Sequence, residues 1–247
     1  EPSSPGEAKE YVKKAFEISE NFDTPVLVRM TTRISHTKED VELAEREVPE
    51  QPPFEKDIAK YVMVPGNAYK RHIVIEQRLR DLKDFAEKTD LNRIEEGDKS
   101  LGFITSNVAY NYVKDSYPDA SYLKLGFTHP FCDEKIKQFA SSVDKLVVVE
   151  ELDPFLEEHI KTLGIDFIAK DESFRIGELR PDFIKTIVEG GKKDEKPKDT
   201  RRPRMCPGCP HWFSFSVLKK FDVFVAGDIG CYTLAAVPPT SALHSCV

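Results

Sequence analysis

Between residues 101 and 168 four short apolar runs recur: Leu101 to Thr105, Tyr122 to Leu125, Leu146 to Val149 and Ile165 to Ile168. Helical stretches near 106–115, 132–141 and 153–162 separate them. Runs this short and this apolar suit strands buried on both faces. Helix-length connections between such strands call for parallel pairing, so the pattern specifies a doubly wound α/β domain. A helix over 72–88, with Ile75, Leu79, Leu82, Phe85 and Ala86 in step, leads into it. No GxGxxG or GxxxxGK turn follows any of the strands, so the fold alone gives no ground for a nucleotide site.

The flanks are organised differently. Residues 4–22 read as an amphipathic helix, with Ser4 as cap, Pro5 in the first turn, and Ala8, Tyr11, Val12, Ala15, Phe16 and Ser19 along one face. Thr24-Pro25 then opens an apolar strand, Val26-Leu27-Val28. A helix running straight into such a strand reads as the closing unit of an α/β domain, residues 1–35. From His36 to Lys60 eight acidic residues face four basic ones among several prolines, so 36–63 is expected to be a linker or arm. The middle domain is then 64–189. Ten of the fifteen residues from 190 to 204 are charged, which marks a second linker. Residues 205–247 restart with a loop, a helix (Trp212 to Phe221) and a strand (Asp222 to Ala226) that ends in GDIGCYT. So few residues cannot close a sheet, and they read as the start of a third, partial α/β domain. Both ends are read as cut, because residue 1 is not Met and Val247 follows an apolar stretch without a polar tail.

Charge and composition exclude several classes. The net charge is -7 and the basic residues are dispersed among acids, which is no footprint for nucleic acid. There is no apolar run of membrane length and no signal-like start, so a cytoplasmic protein without a membrane partner is expected. Cys132 stands alone, whereas Cys206, Cys209, Cys231 and Cys246 crowd the last stretch. In a charged chain without an export signal this points to cofactor ligation or redox chemistry rather than a disulfide framework.

Cys206-Pro207-Gly208-Cys209 admits several readings. A zinc ribbon needs a second close pair, which Cys231 and Cys246 do not form. A thioredoxin-like motif should follow a strand, and a basic linker precedes this one. A cofactor pocket at the strand ends fits better. Asp228, Gly230 and Cys231 lie just past a strand, and Pro210-His211 opens a helix whose free amides favour a phosphate. Gly208, Gly227 and Gly230 would let the backbone approach a ligand. Turn glycines and buried thiols remain the plain alternative.

CPGCPH, GDIGCYT and the later PP and LHSCV segment resemble the opening of the thiamine-diphosphate domain in the large subunit of 2-oxoacid:ferredoxin oxidoreductases, in the arylpyruvate (indolepyruvate) branch. EPSSPGEAKE and the TTRISH segment are similar to the end of that family's pyrimidine-side domain. LGFITSNVAYNYV, LKLGFTHPF and VVVEELDPFLEE are similar to its middle, transketolase C-terminal-like domain. The resemblance implies an enzyme that decarboxylates an arylpyruvate on thiamine diphosphate and Mg2+, forms a CoA thioester, and passes electrons through 4Fe-4S clusters to ferredoxin with a smaller β subunit as partner. It implies that His211, Asp228, Gly230 and Cys231 line the diphosphate side, and that Arg33 and His36 face the active site, Arg33 toward a substrate carboxylate. In sister branches the positions matching Cys206, Cys209 and Cys231 hold a cluster, so the resemblance implies that these three cysteines are candidate iron-sulfur ligands here. The activating glutamate, the GDG-type metal motif and the ferredoxin-like cluster domain have no match here, so the segment is expected to be inactive alone. Another 2-oxoacid branch, or a purely assembling module, are the competing readings.

The linker assignments carry a prediction: limited proteolysis should cut within 36–60 and 190–204 and spare 64–189. Resistance of 190–204 equal to that of the middle domain would overturn the three-part division.

Overall fold

The computed structural model describes residues 1–46, 53, 55–194 and 204–246. It divides into two compact units, Glu1–Asp194 and Glu195–Val247. Most of the second expected linker, 195–203, lies outside the described residues, as do 47–52 and 54 of the first.

In the first unit the elements run α1 (Pro5–Phe22), α2 (Thr32–His36), α3 (Ile58–Tyr61), α4 (Pro65–Lys88), β1 (Asn92–Glu95), β2 (Asp98–Ser106), α5 (Ala109–Ser116), β3 (Ala120–Leu125), α6 (Asp133–Ser141), β4 (Leu146–Val149), α7 (Phe155–Thr162) and α8 (Pro181–Val188). The sheet order is β1-β3-β2-β4. β2 pairs in parallel with β3 and β4, as the apolar runs specify, with Ile104 opposite Leu123 and Val148. Side chains alternate between faces along each strand. Ile104, Leu123, Leu125 and Val148 pack with Ile136 and Phe139 of α6 and Leu156 and Ile160 of α7. Phe103, Tyr122, Val147 and Val149 pack on the other face with Val113 of α5 and Ile184 and Ile187 of α8. Helices therefore cover both faces of the sheet.

Three expectations need correction. The sheet is mixed, not parallel throughout: β1, which its polar sequence Asn-Arg-Ile-Glu conceals, pairs antiparallel with β3 at one edge. The run Ile165 to Ile168 contributes only a single bridge, Ile168 to Val147. Val26-Leu27-Val28 is not a strand, and Leu27 is 88% exposed.

α1 begins as its sequence dictates. The Ser4 hydroxyl accepts the Glu7 N–H at 3.2 Å, and Pro5, which has no N–H to satisfy, occupies the first position. Its buried face is rotated from the expected one. Tyr11, Ile18 and Phe22 pack against Leu82, Phe85 and Leu91, whereas Phe16 is largely exposed. Residues 1–35 thus belong to the same compact unit as 64–189.

What ties α1 to the sheet is ionic. The Lys124 side chain in β3 is fully buried, and its ammonium donates to both carboxylate oxygens of Glu7 and, at 2.6 Å, to the Ser3 hydroxyl. Arg93 of β1 donates to the same Glu7 at 3.0 Å, and the Lys124 ammonium lies 4.7 Å from the centre of the Tyr110 ring. Burial opposes charge on Glu7, but the hydrogen bonds from Lys124 and Ser3 outweigh it and hold the carboxyl at about 2. Breaking a buried pair costs about 3–5 kcal/mol, whereas a solvent-screened surface pair such as Lys14–Glu17 contributes far less.

Glu7→Gln should therefore lower unfolding stability at pH 7 by about 3 kcal/mol, and Glu17→Gln should leave it nearly unchanged. Glu7 binds its proton less readily when folded than when unfolded. Its stabilisation is complete above the ordinary carboxyl value of 4.5 and is lost as pH falls through about 2. Urea titrations across this range should show a smaller acid dependence in Glu7→Gln; equal effects of the two substitutions would contradict the assignment.

Candidate functional site

The second unit holds most of the residues singled out by the sequence. α9 (Pro210–Leu218) starts two residues earlier than expected and stops before Phe221. Of the strand expected at Asp222 to Ala226, only Ala226 enters a pairing: β5 (Ala226–Gly227) lies parallel to β6 (Ser245–Cys246). A 3-10 helix, Cys231–Ala236, follows the GDIG loop, and a small core of Phe215, Ala235 and Ala242 joins it to α9.

The organising side chain is Tyr232. Its ring stacks on Phe215 with centroids 6.0 Å apart and meets the His211 ring edge-on at 5.6 Å. Its hydroxyl accepts the Asp228 N–H at 3.0 Å. Thr233 closes the loop from the other side: its hydroxyl accepts the Gly230 N–H at 2.8 Å and donates to the Asp228 carbonyl at 2.9 Å. His211, Asp228 and Gly230 are thereby gathered about one ring, with His211 in the first turn of α9. Neither Tyr232 nor Thr233 was picked out from the sequence, although both lie in GDIGCYT; their signal was a ring and a hydroxyl placed to fold the motif on itself.

The glycines divide by cause. Gly208 has φ +76°, the left-handed region that suits glycine, and a Cβ on Gly227 would lie 2.8 Å from a Leu243 methyl. Gly230 is extended, and a Cβ there would meet nothing closer than 3.5 Å. Local packing therefore explains the first two glycines and not the third.

The cysteines do not converge. Cys206 and Cys231 are exposed, Cys209 is half-buried at the cap of α9, and its Sγ lies 3.5 Å from His211 Nδ1. Cys246 Sγ lies 3.9 Å from the Thr233 hydroxyl. Among the described residues no group of three or more His, Cys, Asp or Glu side chains could hold a metal ion, and Cys206, Cys209 and Cys231 are not gathered into one. Cys132 is buried in the first unit's core, where burial pushes its thiol up to about 12.

In the first unit Arg33 lies on α2 and is paired: Nη2 reaches Glu178 Oε2 at 2.7 Å, and that hydrogen bond raises its pKa. His36, at the end of α2, is exposed. A cavity of about 690 Å³ opens beyond the carboxyl ends of β3 and β4, with Ile18, Val26, Leu79, Leu82, Phe127 and Glu150 in its walls. Burial raises the Glu150 pKa, and its carboxylate already accepts the Leu156 and Glu157 N–H groups, both at 2.9 Å, as the cap of α7.

No family model matches the chain. It is similar to proteins called indolepyruvate oxidoreductase subunit IorA: 34% identical to that of Methanothermobacter thermautotrophicus over 98% of this chain and 44% of the relative. The subunit of Thermococcus kodakarensis is 34% identical over 100% of this chain and 44% of its own, and that of Archaeoglobus fulgidus 30% over 97% and 43%. The chain thus spans less than half the length of these relatives. A solved 2-oxoglutarate:ferredoxin oxidoreductase from Magnetococcus marinus, with 2-oxoglutarate, coenzyme A and succinyl-CoA bound, is 18% identical with a TM-score of 0.41, over 70% of this chain and 30% of its own. A likeness of that size fixes neither fold nor function.

Gly208→Ala should cost about 1–2 kcal/mol through left-handed strain, whereas Gly230→Ala should stay within about 0.5 kcal/mol. Thermal melts of the two variants test this, and a larger loss for Gly230→Ala would show that the loop is packed differently.

Proposed function

We infer that this chain, related to the IorA subunits along essentially its whole length, is a segment of the large subunit of an oxidoreductase that converts arylpyruvates, indolepyruvate among them, with ferredoxin as electron acceptor. The sequence identity, extending through both units, carries this reading. In it the second unit opens the diphosphate side of a thiamine-diphosphate domain, and the first unit is the transketolase C-terminal-like body joined to the end of the pyrimidine-side domain. CoA, Mg2+, 4Fe-4S clusters carried elsewhere in the subunit, and a smaller β subunit complete the proposed enzyme, working in the cytoplasm.

The residues fit the diphosphate end of the cofactor. The Cys209 and Trp212 N–H groups are taken by the Cys206 and Cys209 carbonyls and Pro210 has none, so at the start of α9 it is the His211 amide and imidazole that can donate to phosphate oxygens, where the helix dipole favours negative charge. Asp228 would line the diphosphate side, and the GDG-type motif expected to hold the accompanying Mg2+ has no match among these residues. Gly230 and Cys231 lie at the edge of the same loop, Gly230 leaving room where a side chain would stand. Thiamine diphosphate, when bound, supplies the nucleophilic carbon and electron sink that decarboxylation of a 2-oxoacid needs. Tyr232 and Thr233 position the loop. Arg33 would meet a substrate carboxylate only by exchanging Glu178 for it.

The test is indolepyruvate-dependent reduction of ferredoxin by the full-length subunit with its smaller partner, with thiamine diphosphate and CoA varied. His211→Ala should raise the thiamine diphosphate concentration needed for half-maximal rate about tenfold or more, the loss of a hydrogen bond to a charged group. Preference for pyruvate or 2-oxoglutarate would move the protein to another branch. A rate independent of thiamine diphosphate, or an inactive complex with normal assembly, would leave only the assembling role.

A further inference from the structure

We propose that Cys206 and Cys209 form a reversible dithiol–disulfide pair of their own, open to low-molecular-weight disulfides, instead of serving as ligands of a cluster with Cys231. The turn between them is built for closure. Pro207 and Gly208 occupy its two central positions, and Gly208 has φ +76°, the combination a type II turn requires. The Cys209 N–H donates to the Cys206 carbonyl at 3.1 Å and closes it. Such a turn holds its end Cα atoms within about 7 Å, which overlaps the span of about 4.4–6.8 Å that a disulfide bridges.

Access and surroundings agree with that reading. Cys206 is exposed, Cys209 is half-buried, and the two line a cleft of about 240 Å³ with Met205, Trp212 and Phe213. The cleft's own lining carries no carboxylate or imidazole, and the one imidazole beside the pair, that of His211, reaches Cys209 Sγ alone, at 3.5 Å. A four-iron cluster takes four thiolates. Here Cys231 opens a separate 3-10 helix, Cys246 contacts Thr233, and the described residues contain no group of three metal-ligating side chains.

The chemistry balances with a small disulfide, RSSR, as oxidant. The more exposed Cys206 sulfur attacks it, breaking the RS–SR bond, forming a mixed disulfide and releasing one RSH. Cys209 sulfur then attacks the Cys206 sulfur of that adduct, closing the Cys206–Cys209 bond and releasing the second RSH. Two thiol hydrogens and two electrons pass from the protein to the oxidant. Because Cys209 is the cap of α9, the new bond fixes the entry to the helix that begins with Pro210-His211.

The experiment uses the full-length subunit, prepared anaerobically and equilibrated with mixtures of reduced and oxidised glutathione. After alkylation, mass spectrometry of the peptide containing 206–209 reads each thiol. Cys206 and Cys209 should lose alkylation together, at one midpoint potential, in a species lighter by two hydrogens that dithiothreitol reverses. Cys209→Ser should halt at a glutathione adduct on Cys206. The proposal is overturned if both thiols stay alkylated at every potential, or if either bridges to a different cysteine. It is also overturned if bound iron protects both thiols from alkylation and falls in a Cys206→Ser, Cys209→Ser variant.

Discussion

A lysine with no exposed side-chain surface stands in the third strand of the sheet, and its ammonium is tolerable there only because Glu7 comes across from α1 to meet it. An unpaired buried charge would be far costlier than the loss of any single apolar contact in this unit. The pair therefore fixes the beginning of α1, and neighbouring bonds extend the constraint. Asn111 Nδ2 donates to the Ser3 carbonyl at 2.7 Å, Asn107 Nδ2 donates to the Arg29 carbonyl at 3.2 Å, and Arg93 links Glu7 to Glu95 of β1. Ser3 and Glu7 at one end of this segment and Arg29 and Thr31 at the other are held to β1, β3, α5 and Asn107 by polar bonds, with the Tyr11, Ile18 and Phe22 face packed beneath. That is why a segment with the sequence character of another domain's tail forms one body with the sheet.

The parts of this fold that were legible in the sequence are those where burial acts on every residue of a run. β4 and the buried stretches of β2 and β3 are flanked by apolar layers on both sides, so their sequences are mostly apolar, with Thr105, Ser121 and Lys124 as exceptions, and bounded by helix-forming stretches. β1 has only one paired neighbour and alternates polar groups that carry the Arg93 and Glu95 ion pairs, so nothing in its composition distinguishes it from a turn. Val26 to Val28 shows the converse: apolar residues make a strand only if an edge is free to receive them, and here they wall a cavity instead. α1 carries two adjoining apolar ridges, and which one faces inward was decided by the distant Lys124 through Glu7, a contact no local period encodes.

The second unit shows the same limit at the level of a site. Motif spacing indicated a helix close behind the CPGC turn and a glycine-containing loop after the strand position, because turn glycines announce themselves locally. It did not reveal that Tyr232 is the shared support, since that role arises from His211 and Phe215 on α9 meeting a ring on the 3-10 helix. Nor did it place the cysteines: residues 206 and 209 share one turn by virtue of Pro207 and Gly208, while Cys231 belongs to the other side of the loop. The chemistry proposed for such a segment rests on its sequence relatedness to the IorA subunits, and the side chains gathered about Tyr232 are the ones proposed to support it.

The central structural claim is that α1 and the sheet form one cooperative body through the Lys124–Glu7 pair, and native-state amide hydrogen exchange in sub-denaturing urea measures it directly. The account predicts that amides of α1 and β3 converge on one common opening free energy in the unaltered chain, and that Lys124→Met lets α1 open separately, at a lower free energy than β3. Separate opening of α1 and β3 in the unaltered chain would contradict it.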